Sequence, residues 1–588
     1  MADTKKSKIQ YINMEKRFGY ISKLTEEESK DYFFLEKDLI NIDFDKLSKG
    51  LTVIFQIETR KNVKYARNIK LDSENIPVSI TNDENIEDNI NPYKTDNYLY
   101  PGATINDSEL IIGIVSPVGA ESDIIIDSLI TKLQKFSYYA DTIKLSSLLP
   151  KFETKNDTGE YDRIKHYIKQ GDLLRERSQN NAILATGAIK LIAEKREENK
   201  QNKKVYIIDS LKHPDEVELL RKVYGEGFYL FGIHADKDRR LDFLSEKGCE
   251  PEQANELINT DENENISHGQ KTRDTYHLSD FFLNIGNNTD QVRNTLQRFL
   301  DLIFSNPYLN PTFDEFAMFM AFNSSVRSGD LSRQVGAVIS KKEQIVATGA
   351  NDVPKFGGGL YWAVQNSDGK IEDIESGKDY KKGFDSNKNA QNEMIQRILR
   401  QSDNLFSEEE KQKKKLMLEE ILKKSQIADL TEFGRVVHAE MEAILSCGRE
   451  GISTLNSVLY CTTFPCHNCA KHIIASGIQR VVYVEPYPKS KALDFHSESI
   501  ELKSSFDINT PITNNKVIFE PFIGVGPRRF LDLFSMSLGA GIKLKRKQKT
   551  GAILSWDNDS KSIRTPLLTE SYRDLEKKAL SIWEEGSN

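Results

Sequence analysis

The sequence predicts a multidomain chain: a small all-β barrel, then a central α/β unit with a parallel sheet, then a second α/β unit carrying a metal-type motif. Three observations predict it. Residues 8–72 run as short β-branched and aromatic stretches between polar turns, the pattern of an all-β unit. From 109 to about 305, apolar strand-like runs alternate with helical stretches, which implies a parallel sheet covered on both faces. Within 312–521, Val437-His438-Ala439-Glu440 is answered downstream by Pro465-Cys466-His467-Asn468-Cys469.

Composition sets the bounds. The chain has 588 residues, and that length divides into about three or four domains. With 38% hydrophobic and 29% charged residues it is globular, and its net charge of −8 argues against a surface that attracts nucleic acid everywhere. Five cysteines, two of them in the motif, suit a reducing compartment rather than a disulfide scaffold. The first residues hold no apolar signal core, and no window reaches the roughly 18 apolar residues of a membrane span. A cytoplasmic protein without a membrane partner is expected.

In the first unit, Ile9–Ile12, Phe18–Ile21, Tyr32–Leu35 and Leu51–Ile57 read as strands, and Tyr65–Leu71 closes the barrel. Over residues 1–72 it resembles a cold-shock domain of the OB-fold group. Tyr11–Ile21 is similar to the first RNA-binding motif of that family, and Asp31–Phe34 stands at the second. The resemblance implies that Tyr11, Phe18, Tyr20 and Phe33 offer ring faces to unstacked bases of single-stranded RNA while Lys16 and Arg17 meet phosphates. Leu35 and Glu36 stand where the family has a histidine and an aromatic. A barrel whose rings form core or a protein-docking face is the other reading. Residues 73–108, rich in Asn, Asp, Glu, Ser and Pro, read as a linker.

The central unit, 109–305, opens with the buried-strand run Leu110–Val115, followed by a helix from Asp123 to Phe136. Val205–Asp209 and Phe228–Ile233 are further strands, with helices at 180–198 and 214–224. It resembles a P-loop kinase domain, with Gly113–Gly119 as the loop, Asp209 ending a Walker B-like strand, and Arg239 and Arg240 as lid arginines. Ala120 and Glu121 replace the lysine and hydroxyl residue that hold phosphate and magnesium in such a loop. A degenerate nucleotide site at Gly113, Gly119 and Asp209 and a pure scaffold both remain open.

The third unit begins with an amphipathic helix, Phe313–Arg327, whose apolar positions are Phe316, Met320 and Phe322. A hairpin of Val335–Ile339 and Gln344–Thr348 follows. Glu440–Cys447 contains good helix formers with Met441, Ile444 and Leu445 on one side, so His438 and Glu440 fall at a helix's first turn. Leu459–Thr463 ends a strand, Cys466–Ile474 forms a helix opened by Pro465, and Arg480–Val484 is a strand. Cys466 and Cys469 share one helix face. Two helix N-termini then converge, their positive ends favouring thiolates.

Zinc takes imidazole nitrogen and thiolate sulfur, and a catalytic zinc keeps a fourth position for water. His438, Cys466 and Cys469 fill three positions, and Glu440 is left to carry protons. A redox pair or half of a structural zinc site are the other readings of C-x-x-C, but no second C-x-x-C supplies further ligands. Cys249, Cys447 and Cys461 are expected to pack as small hydrophobes, and His467 and His472 to lie on a helix surface. The set is similar to the H-x-E and P-C-x-x-C signature of zinc-dependent nucleobase deaminases.

The order of elements over 312–521 is similar to the cytidine deaminase fold. Ser328–Ala337, Thr348–Asn351 and Phe464–Ile478 resemble the motifs of dCMP deaminases. That resemblance implies that Asn351 hydrogen-bonds the sugar or base, with Asp352 standing where the family has glycine. Arg333, Lys489 and Lys491 are phosphate candidates, with solvated surface charge as the other reading. An insertion spans 355–436, including Gly357–Trp362 and the charged run Ser407–Lys415, read as a solvated helix face. A C-terminal extension, 522–588, carries the basic run Lys543–Lys549.

From 109 to 550 the chain resembles bacterial anti-phage dCTP/dCMP deaminases, on Glu485–Ser490 and Gly526–Leu533 as well as the zinc motif. The resemblance implies hydrolysis of dCTP or dCMP to dUTP or dUMP, depleting the deoxycytidine nucleotide pool in phage infection. It also gives the barrel a regulatory RNA to hold, and it implies a homo-oligomer, a hexamer in dCMP deaminases. In the implied reaction zinc activates a water, Glu440 accepts its proton, the hydroxide attacks C4 of cytosine, and Glu440 protonates N3 and, in a second transfer, the departing amine. A deaminase acting on a base within RNA or single-stranded DNA, and a non-catalytic regulator, are the rivals.

Overall fold

Alternating residues build a closed barrel from β1 (Thr4–Asn13), β2 (Phe18–Ile21), β3 (Tyr32–Leu35), β4 (Thr52–Arg60) and β5 (Val63–Leu71), in the order β1-β2-β3-β5-β4. Ile9, Ile21, Tyr32, Phe34, Val53 and Phe55 fill its interior. Because side chains alternate along a strand, Phe18, Tyr20 and Phe33 fall on the other face. The computed structural model describes residues 4–13, 16–25, 31–40, 42, 44, 47, 50–60, 63–71, 108–153, 158–198, 203–262, 268–286, 289–402, 411–423, 425, 427, 430, 433–485, 490–503, 515–539, 541–548, 550–556 and 562–567. The expected linker up to 107, Lys489 and residues 407–410 of the charged run lie outside these. The chain divides into two units, 1–90 and 91–588.

The second unit starts with β6 (Leu110–Val115), α1 (Ser122–Gln134), β7 (Tyr139–Lys144), α2 (Glu160–Ser178), α3 (Ile183–Glu198) and β8 (Lys204–Asp209). It continues through α4 (Pro214–Tyr224), β9 (Phe228–His234), α5 (Lys237–Glu246), α6 (Pro251–Glu262), α7 (Thr272–Tyr276), β10 (Phe281–Asn284) and α8 (Thr289–Ile303). These strands are parallel, in the order β7-β8-β6-β9-β10. Every residue of β6 and β8 is buried, as strands covered on both faces require. Ile125, Leu129, Leu296 and Phe299 of α1 and α8 cover one face; Ala185, Ile192, Val217 and Leu220 of α3 and α4 cover the other.

The remaining elements are α9 (Phe313–Ser325), β11 (Gly336–Lys341), β12 (Gln344–Ala350), a small hairpin β13 (Val364–Gln365) and β14 (Ile371–Glu372), α10 (Asp379–Lys382), α11 (Ser386–Gln401) and α12 (Lys411–Lys423). Then come α13 (Ala439–Arg449), β15 (Val458–Thr463), α14 (His467–Ala475), β16 (Arg480–Glu485), α15 (Ala492–Phe495), β17 (Ile500–Leu502), β18 (Val517–Pro521), β19 (Gly524–Val525) and α16 (Phe530–Phe534). Their main sheet runs β12-β11-β15-β16-β18-β17. A capping box starts α9: the Glu315 N–H donates to Thr312 Oγ1 at 3.2 Å, and the Thr312 N–H donates back to Glu315 Oε2 at 2.7 Å.

The face of α9 that packs is not the one its phenylalanines suggest. Ala317, Met318, Ala321 and Ser325 are buried, whereas Phe316 and Phe322 are 39% and 41% exposed. Small residues win because α9 lies directly on β11: a β-carbon at Gly336 would stand 2.7 Å from the Ser325 nitrogen.

The expected divisions near 305–312 and 521–522 are not boundaries between cores. One cluster joins Ile111, Ile208 and Phe228 of the central sheet to Met318, Val338, Tyr460 and Val482. The tail returns to that sheet, where β19 pairs antiparallel with β10 and Val525, Leu533 and Ile563 enter its core. Arg529 Nη2 donates to the Phe228 carbonyl at 2.7 Å, tying the tail to β9. Among the described residues no helix is long and apolar enough to cross a membrane.

Candidate active site

His438 is the N-cap of α13 and Cys466 the N-cap of α14, both with extended backbone, so their side chains project from the ends of two helices. His438 Nδ1 lies 3.4 Å from Cys466 Sγ and 3.4 Å from Cys469 Sγ, and the three donor atoms all lie within 4.8 Å of one another. Bonds of about 2.0 Å to nitrogen and about 2.3 Å to sulfur, at tetrahedral angles, place donors about 3.5 Å apart. The observed spacing and the donor chemistry both fit Zn2+.

Electrostatics agree. A hydrogen bond from Cys469 holds the Cys466 thiol down to about 4 against the effect of burial, with His438 helping. The hydrogen bond to Cys466 raises His438 to about 9, while Cys469 is pushed up by its bond to Cys466 and by burial. A divalent cation would take the place of these shared protons. Glu440 is 4% exposed, and burial, reinforced by the charge of Cys466, pushes its carboxyl above the usual carboxylate range. Cys249, Cys447 and Cys461 are buried. His472 is exposed, and His467 is half-buried beside the Phe495 ring.

A cavity of about 220 Å³ opens on this cluster, lined by His438, Glu440, Cys466, Phe464, Asn351 and Arg333 among others. Asn351 spends part of its hydrogen-bonding capacity on the chain: Nδ2 donates to the Arg333 carbonyl at 2.8 Å, and Oδ1 accepts the Val335 N–H at 2.7 Å. One amide hydrogen and one lone pair remain by chemistry for a ligand. Arg333 pairs with Glu485 at 3.1 Å. Lys491 is exposed beside Phe495. Sequence reasoning missed the insertion's share of the wall: Asp379, Asp385, Ser386, Asn387, Gly434 and Val436 line the same cavity. The one local signal was Asp385, a helix cap that accepts the Lys388 N–H at 2.8 Å.

In the barrel, Tyr11, Phe18, Tyr20 and Phe33 form one ring cluster with centroids 5.4 to 6.3 Å apart. Tyr65 extends it, 5.9 Å from Phe33, with the Arg67 guanidinium 5.1 Å over its ring. Lys16 is exposed, and Arg17, its side chain also exposed, pairs with Glu36 through two contacts of 2.6 Å.

The loop after β6 is occupied by its own side chains. The fully buried Asp261 accepts the Val118 N–H at 2.8 Å and Lys212 Nζ at 2.7 Å, and Lys212 also donates to the Ser116 carbonyl at 2.6 Å. Arg239 pairs with Glu121 at 2.7 Å, and Arg240 Nε donates to the Val118 carbonyl at 2.8 Å and packs against Gly119. The two arginines expected to act as a lid therefore clamp the loop itself. Gly113 lies within β6, where a β-carbon would meet Leu211 and Phe228. Asp209 is buried 3.7 Å from Lys144 Nζ, and burial pushes its carboxyl up.

Fold and site together present a zinc-type donor set and a buried carboxyl at one cavity. Residues 311–485 match the family model described as the cytidine and deoxycytidylate deaminase zinc-binding region, so the C-terminal part of the chain carries that domain and Zn2+ is its cofactor. Among curated proteins, ComE operon protein 2 of Bacillus subtilis (strain 168) is 47% identical over 53 residues, 9% of this chain and 28% of that protein. The deoxycytidylate deaminase of Schizosaccharomyces pombe is 24% identical over 219 residues, 37% of this chain and 50% of that protein. The chain thus spans half or less of the length of these relatives. The crystal structure of dCMP deaminase from cyanophage S-TIM5 in apo form aligns at 17% identity with a TM-score of 0.20, covering 36% of this chain and 100% of that one.

Proposed function

We propose that the chain hydrolyses the exocyclic amine of cytosine in a free deoxynucleotide, dCMP or dCTP, giving the deoxyuridine nucleotide and ammonia. The observation that carries this is the gathering of one imidazole, two cysteine sulfurs and a buried carboxyl at one cavity. His438, Cys466 and Cys469 would hold zinc, which supplies Lewis-acid activation of water when bound. Glu440 would take one proton from the attacking water and pass it to N3, then carry the second, from the hydroxyl formed at C4, to the amine that leaves as ammonia. Asn351 offers its remaining donor and acceptor to sugar or base, and Arg333 stands on the same wall for phosphate.

The barrel's role in this reading is to bind single-stranded RNA. Five clustered rings support it, since bases stack on aromatic faces with little sequence preference, with the Arg67 guanidinium over Tyr65 and itself paired to Asp38 and Glu58. For the central unit we infer a scaffold rather than a phosphate site at Gly113, Gly119 and Asp209. The carboxylate of Asp261 already takes the loop N–H and the lysine that an incoming phosphate would need. Depletion of deoxycytidine nucleotides during phage infection, under control of a bound RNA and within a homo-oligomer, is the biological setting that the sequence resemblance suggests.

Separate incubations with dCMP, dCTP, a cytosine-containing RNA and a single-stranded DNA, followed by mass spectrometry, test the substrate. Deoxyuridine nucleotides from the first two only are expected. Uracil appearing only within an oligonucleotide would replace this reading with base editing.

A further inference from the structure

We propose that Lys378, carried by the segment between β12 and α13, is a positioning residue of the metal centre and acts through Asp352. This rests on the reading of His438, Cys466 and Cys469 as zinc ligands. Lys378 and Asp352 are 4% and 1% exposed, and Lys378 Nζ donates to Asp352 Oδ2. The same ammonium donates to the Tyr361 carbonyl at 3.2 Å. Asp352 Oδ1 accepts the Val353 N–H at 2.7 Å, and Oδ2 accepts that of Gly329 at 3.4 Å.

The backbone of Asp352 faces the ligand. Its N–H donates to the Val437 carbonyl at 3.2 Å, and the Val437 N–H donates back to the Asp352 carbonyl at 2.9 Å. Val437 immediately precedes His438. On its other side Asp352 follows Asn351, which holds Arg333 and Val335 in the cavity wall. One buried ion pair therefore underlies both the imidazole ligand and the substrate shelf. Neither charge is stable away from water without the other, so losing one partner displaces the survivor, whereas losing both leaves a neutral site of similar volume.

The test uses the full-length chain loaded with Zn2+ or Co2+. Outer partners of metal ligands govern metal retention by about 10- to 100-fold. Lys378→Met should therefore lose zinc to a chromophoric chelator at least about 10-fold faster than the parent and shift the visible bands of the cobalt form. Asp352→Asn combined with Lys378→Met should restore both the release rate and the spectrum. Neither readout requires substrate, so a wrong choice of substrate leaves them intact. A folded Lys378→Met with parental release rate and cobalt spectrum overturns the proposal. So does a loss of circular-dichroism signal in the single variant that the double variant fails to recover, because the pair would then serve general stability.

Discussion

Gly349 of β12 lies so close under Ala439 of α13 that a β-carbon there would overlap the Ala439 carbonyl oxygen and stand 2.7 Å from the Ala443 nitrogen. The helix that carries His438 at its cap and Glu440 in its first turn is thereby seated on the hairpin backbone to backbone. Gly349→Ala must push α13 outward, which we expect to lower stability by about 3 kcal/mol in urea unfolding, the upper part of the usual overpacking range. Zinc content after dialysis should fall with it.

In the proposed reaction Glu440 carries a proton and is not a ligand. Glu440→Gln keeps the shape and a hydrogen bond while removing the acid, so bound zinc should stay equimolar as the rate of ammonia release falls by about 100- to 10,000-fold. Metal analysis and an ammonia-coupled assay on one preparation separate the two effects. A variant with near-parental turnover assigns the proton transfer elsewhere.

The barrel cluster predicts nucleic-acid binding that depends on its rings. Phe18→Ala and Phe33→Ala should each weaken binding of a single-stranded RNA by about 1–3 kcal/mol, with loss of binding at high salt. Tyr65→Ala, at the edge of the cluster, should show a smaller loss. Fluorescence anisotropy across a salt series reads both effects, and a parent protein that gives no signal at low salt removes RNA from the account.

For the central loop, the parent chain should fail to bind a fluorescent ATP analogue in the presence of Mg2+. The Val118 N–H and Lys212 are held by Asp261. Asp261→Ala frees both, so measurable affinity should appear only in that variant if it remains folded. Saturable binding by the parent would restore the loop as a nucleotide site.

What the sequence made legible was local. His438, Glu440, Cys466 and Cys469 sit at short fixed spacings on helix starts, and strands such as Leu110–Val115 are continuous apolar runs, so both kinds of feature can be read without knowing what lies across the fold. What stayed hidden depends on distant partners. The packing face of α9 is set by close approach at Gly336, against the stronger hydrophobic signal of Phe316 and Phe322. β19 is two residues long and carries no periodicity, yet it completes the sheet begun at Leu110. Asp352 read only as a departure at a glycine position, because the lysine that accounts for it is in the insertion, 26 residues away. Asp261 gave no signal as the occupant of the loop after β6, because only the fold brings it to Val118.

X-ray absorption at the zinc edge of the purified chain tests the central claim most directly. One zinc per chain is expected, with two sulfur neighbours at about 2.3 Å and two nitrogen or oxygen neighbours at about 2.0 Å, one of which exchanges with solvent. A shell of four sulfurs, a shell without sulfur, or a protein that retains no zinc would contradict it.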